Sequence, residues 1–145
     1  MTINEHPLTL NAGDDHTITG TVFTPATPSA ILIISHGMAE HGDRYQPLAH
    51  WLGENGIAVI TYHHRGHGRS CPPESLGHYS DQGGWACVLA DLHLVVQHAR
   101  AQFPRLPVNL LGHSMGSFIA QAYAQTHGDQ LDALILSATN RIDRG

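Results

Sequence analysis

The chain contains no lysine. Its seven basic residues are all arginine and stand scattered, against twelve acids, for a formal charge of −5. Sparse, dispersed positive charge offers no stripe for a phosphate backbone, which argues against nucleic acid as a partner. Long apolar runs are also missing. The longest aliphatic stretch, 30–34, falls far short of the ~20 residues that span a bilayer, so no transmembrane segment is expected. Two cysteines, Cys71 and Cys87, are too few for a disulfide framework and fit a reducing compartment. The first ten residues include Glu5, His6 and Pro7 and lack a charged-then-apolar signal pattern, so a cytoplasmic chain is expected. With 41% hydrophobic and 13% charged residues, the 145-residue chain reads as globular, residues 1–145 forming part of one domain.

What is present is an alternation of strand and helix patterns. Residues 8–10 alternate, Gly13, Asp14 and Asp15 supply a turn, and 17–24 is rich in threonine and valine, which predicts a hairpin. The continuous apolar runs 30–34 and 57–62 predict strands buried on both faces of a mainly parallel sheet. Between them Tyr45, Leu48, Ala49, Trp51 and Leu52 fall at helical spacing, stopped by Gly56. Residues 63–79, with three glycines and two prolines, read as a loop. Ser80 or Asp81 can then cap a helix whose apolar stripe is Val88, Leu92, Val95, Val96 and Ala99, ended by Pro104 and Pro107. A strand at 108–111, a helix at 115–127 and a strand at 131–138 complete the pattern. Strands alternating with helices imply an α/β fold with a doubly wound, mostly parallel sheet.

Gly112-His113-Ser114-Met115-Gly116 lies where a strand gives way to a helix. A sharp turn there holds the serine in a strained backbone with its hydroxyl exposed, and brings the residues two before and two after so close that both must be small. The free N–H groups and positive end of the following helix then point at the reacting carbon. One oxyanion donor is expected from the N–H of Met115. A second is expected from the loop after the strand 30–34, where Ser35-His36-Gly37-Met38 makes the Met38 N–H the best candidate, since Gly37 lets the backbone turn inward.

Two longer stretches, His36-Gly37-x-x-Glu40-His41-x-x-Arg44-Tyr45 and Arg65-Gly66-His67-Gly68-x-Ser70, together with the serine turn, resemble the monoacylglycerol lipase and lysophospholipase group of α/β hydrolases, often labelled serine aminopeptidase-like. The resemblance runs from about residue 30 to 138. His63 stands where the group usually carries aspartate. The resemblance implies serine hydrolysis of a carboxylic ester, lipid-derived and of monoacylglycerol or lysophospholipid type, through an acyl-enzyme on Ser114. Met38 and Met115 would form the oxyanion hole, and no cofactor is expected. It further implies an α/β-hydrolase fold that stops after about the sixth strand, before a cap, two last strands and the triad acid and histidine. His127 cannot act as the base, because it ends the helix that Ser114 begins, roughly 18 Å away. The chain alone is therefore expected to be inactive. The segment 131–138 is expected to form an apolar edge through which it self-associates.

Other chemistries fit less well. His63, His64 and His67 cluster in the loop, but His36 and Glu40 are one residue too far apart for an H-x-x-E-H zinc helix, and no metal is expected. The run Gly66 to Cys71 lacks the last glycine of a dinucleotide loop. Arg65 is expected to brace its loop. A non-catalytic hydrolase-fold binding module, or a fragment completed by another chain, is the alternative from a different class. Among enzymes, thioesterase, acyltransferase and peptidase are the runners-up.

Overall fold

A computed structural model describes residues 3–12, 17–35, 45–63, 82–113 and 115–137, and of residues 82–86 and 115 the backbone only. The expected turn at Gly13, Asp14 and Asp15, the loop 64–79 and the caps Ser80 and Asp81 lie outside them. In chain order the elements are β1 (Ile3–Asn11), β2 (Thr17–Pro25), β3 (Ala30–Ser35), α1 (Gln46–Glu54), β4 (Ile57–Tyr62), α2 (Gln82–Gln102), β5 (Val108–His113), α3 (Met115–His127), a 3-10 turn (Gly128–Gln130) and β6 (Ala133–Ser137).

The six strands form one sheet in the order β1-β2-β4-β3-β5-β6. β1 and β2 pair antiparallel from Ile3↔Pro25 to Asn11↔Thr17, and β2 continues antiparallel onto β4. The remaining pairs, β3 with β4, β3 with β5 and β5 with β6, are parallel. The hairpin is longer than the sequence pattern indicates. β1 begins at Ile3 because nine residues pair with β2, although Glu5, His6 and Pro7 break the apolar alternation. Proline and exposed charge are tolerated because β1 is a sheet edge, where one row of N–H groups has no ladder partner.

The continuous apolar runs bury both faces of the inner strands. Ile31 and Ile33 join Ile60, Tyr62, Val108 and Leu110 in the core under α2 and α3. Leu32 and Ile34 turn the other way and meet Phe23, Val59 and Ala49 of α1. Each large aliphatic side chain so buried contributes about 1.5–3 kcal/mol. The α2 stripe faces the first core with Val88, Leu92, Val95, Val96 and Ala99 all buried. α1 takes Pro47 in its first turn, where a missing N–H costs no helix bond. It stops at Gly56, whose φ of 83° is a left-handed conformation that glycine adopts without strain.

β5 extends two residues past the expected 108–111, because Gly112 and His113 pair with Leu136 and Ser137 of β6. β6 is shorter than 131–138: Leu131 follows the 3-10 turn, and Ala138 lies outside the described residues. All five β6 residues are exposed, Ile135 at 48%. No helix among the described residues is long and apolar enough to cross a membrane.

Candidate functional site

The sheet order creates a crevice. From β3 the chain passes through α1 to β4 on one side, then through α2 to β5 on the other side of β3. Neighbouring strands β3 and β5 therefore send their following segments in opposite directions. The gap outside their carboxyl ends is where open α/β sheets bind ligands. Ser35 ends β3 directly beside Gly112 of β5, and it is fully buried. The carboxyl ends of β3 and β5 thus lie side by side. The side-chain amide of Asn109 straps the two strands by donating to the Ile31 carbonyl at 3.1 Å.

At the end of β5 the backbone turns sharply. A Cβ on Gly112 would lie 2.7 Å from the Gly116 carbonyl oxygen, 2.7 Å from Ser117 Cα and 2.9 Å from Ala120 Cβ. The strand end and the first turn of α3 are pressed together, with Gly116 and Ser117 buried. Met115 is the first residue of α3, so its N–H is one that no helix carbonyl accepts. Ser114, His36, Gly37 and Met38 lie outside the described residues.

His113, next to Ser114 in the chain, turns toward the α1 side. Its ring meets that of Tyr45 edge-on at 6.5 Å, and Nδ1 lies 3.2 Å from Ser137 Oγ, a hydrogen bond whose direction follows the ring tautomer. It joins the ends of β5 and β6 to the start of α1 beside the crevice. Sequence reasoning left His113 as the variable residue of the glycine–serine motif, because Tyr45 and Ser137 become its neighbours only through the sheet order.

His127 is held far from the crevice. Its ring stacks on His93 of α2 at 4.1 Å and lies 5.0 Å from that of Tyr123. His93 Nδ1 is 2.9 Å from the Tyr123 hydroxyl. Burial first, then the neighbouring His127, push the His93 pKa down, with Asp129 opposing. Burial, aided by Asp129, raises the Tyr123 phenol to about 12, with Arg100 opposing. The Tyr123 and His127 spacing on α3 was a readable hint of this cluster, but its α2 partner was not. Among the described residues no three His, Cys, Asp or Glu side chains converge as a metal site. Cys87, half-buried on α2, is in no disulfide among the described residues. Cys71 and Arg65 lie outside the described residues.

A mostly parallel sheet with helices on both faces and a G-x-S-x-G turn at the switch between β3 and β5 is the α/β-hydrolase fold. Residues 26–142 match the family described as serine aminopeptidase, S33, and the chain belongs to that family. It is 37% identical over 124 residues to a monoacylglycerol lipase of Mycolicibacterium smegmatis, a match covering 80% of this chain and 40% of that protein. It is 39% identical over 101 residues to human monoglyceride lipase, covering 65% of this chain and 29% of that one. Among solved structures, a thermostable carboxyl esterase from Bacillus coagulans superimposes with a TM-score of 0.75 at 31% identity, over 93% of this chain and 44% of the esterase. The chain therefore spans two fifths or less of these two curated relatives' lengths.

Proposed function

We propose that the protein is a carboxylic ester hydrolase with Ser114 as nucleophile and with Gly112 and Gly116 as the small residues of its turn. In this reading the serine Oγ attacks the ester carbonyl carbon and passes its proton to a base. The carbonyl π pair moves onto oxygen, where the Met38 and Met115 N–H groups hold the developing charge, each worth about 3–4 kcal/mol. Collapse expels the alcohol with that proton and leaves an acyl-serine, which water then cleaves to the acid. No residue of this chain is assigned as the base or the triad acid. No cofactor enters the scheme.

The close approach of Gly112 to Gly116 at the strand-to-helix turn carries this reading, because such crowding serves to present the intervening Ser114. The identity to monoacylglycerol and monoglyceride lipases supports a lipid-derived ester of monoacylglycerol or lysophospholipid type as substrate. A cytoplasmic location belongs to the same reading. The test is labelling of the intact protein with a fluorophosphonate probe, with and without Ser114→Ala, beside an assay on monoesters of graded chain length. Labelling confined to Ser114, with hydrolysis, is expected. A folded protein with no labelled serine would leave the binding-module alternative instead.

A further inference from the structure

Both arginines among the described residues, Arg100 and Arg105, line one cleft of about 360 Å³ at the opposite end of the sheet from the serine turn. The cleft lies between the last turn of α2, the turn 103–107 and Asp132, just ahead of β5 and β6. β5 has six residues, so the cleft and the crevice stand roughly 20 Å apart. Phe103 and Leu106 line the cleft too, but they are partly buried against the core under α2 and form its floor.

The positive charges at this cleft are only partly spent on the fold. Arg100 places one N–H on the Gln130 carbonyl, at 3.2 Å, out of the five that a guanidinium carries. Arg105 is exposed and makes no hydrogen bond or ion pair among the described residues. Asp132 is the acid beside them, and it is already engaged: its Oδ2 accepts the Val108 N–H at 2.7 Å, and its own N–H donates to the Val108 carbonyl at 2.7 Å. That carboxylate fixes the start of β5 and is not paired with either arginine. In a chain of net charge −5, this cleft is lined by two arginines against one aspartate, a net positive charge.

We infer that this cleft binds a small oxyanion carried by an organic molecule, a carboxylate or a phosphomonoester, gripped by Arg100 and Arg105. A guanidinium presents parallel N–H donors that match the paired oxygens of either group. The cleft volume admits a few further heavy atoms beyond the anion. The assignment does not depend on ester hydrolysis, because no atom of the serine turn takes part.

The experiment is thermal unfolding of the intact protein against rising inorganic phosphate, rising butyrate and, at matched ionic strength, chloride. A ligand that binds the folded form alone raises the melting temperature along a saturating curve. Saturation is expected with phosphate, butyrate or both, and not with chloride; which of the two saturates identifies the source of the oxyanion. Arg105→Gln, a surface change, should weaken the apparent affinity by roughly fivefold. Asp132→Asn retains an acceptor for the Val108 N–H and removes the opposing charge, so it should tighten binding severalfold. Curves that match chloride, or affinities that both variants leave unchanged or move in the same direction, overturn the proposal.

Discussion

A side chain on Gly112 would collide with the carbonyl oxygen of Gly116, the two separated by only 2.7 Å from the added carbon. The added Cβ is fixed by the backbone and the atoms nearest to it are backbone, so no rotamer change relieves the contact. Gly112→Ala is expected to force the strand end away from α3, at a cost of about 1–3 kcal/mol. The measurement is the urea midpoint of the variant beside the wild type. An unchanged midpoint would mean that the turn can open to admit a methyl group.

Ser114→Ala should behave in the opposite way. It removes one oxygen from the turn and leaves the melting temperature within a degree or two. On the proposed reading, it should lower kcat of the intact protein by about 10⁴-fold or more, since no acyl-enzyme can form. Turnover near the wild-type rate would transfer the nucleophile to another residue.

The 145-residue chain by itself is expected to show no ester turnover above a small residual, because His127 is stacked on His93 and no other residue is assigned as the base. A long-time assay on the purified chain checks this. A rate within about tenfold of full-length relatives would show that a base has been overlooked.

The same purified chain is expected to associate through β6. Leu134, Ile135 and Leu136 are 37%, 48% and 37% exposed on an edge strand with no lysine or proline to blunt it. Light scattering should show mass rising with concentration, and Ile135→Lys should reduce it. A monomer at all concentrations would contradict the expectation.

The cluster of His93, Tyr123 and His127 sets a pH dependence. The folded pKa of His93 is lowered, so below about pH 6.5 the unfolded chain takes up a proton that the folded chain resists. Stability is therefore unaffected by this group above that pH and falls as the pH drops through the window down to the lowered value. Tyr123 acts at the other end. Its phenol ionises at about 12 when folded and near 10 when unfolded, so stability also falls as the pH rises between those values. Urea unfolding from pH 5 to 8 should show the first slope, and His93→Gln should flatten part of it.

Much of this architecture could be read from residue order, and the reasons differ by element. β3 and β4 announced themselves as unbroken apolar runs because both their faces are covered. The stripe from Val88 to Ala99 named the buried side of α2. The start of β1 was hidden by Glu5, His6 and Pro7, which suit an edge and imitate a loop. The surroundings of His113 and the stacking of His93 on His127 were invisible for a different cause: each joins elements whose proximity depends on the sheet order, not on local pattern.

The strap from Asn109 to the Ile31 carbonyl spans 78 positions of chain. The two strands that frame the crevice must therefore close a very long loop before they pair with each other, and parallel pairing offers no tight hairpin to start from. Helices form within about a microsecond, far ahead of such a closure. The serine turn should thus be a late event in refolding. In a stopped-flow experiment, recovery of helical circular dichroism should run ahead of any signal that depends on Ser114 being in place. On the proposed reading, the crevice that the chemistry needs is then complete only once β3 and β5 have paired.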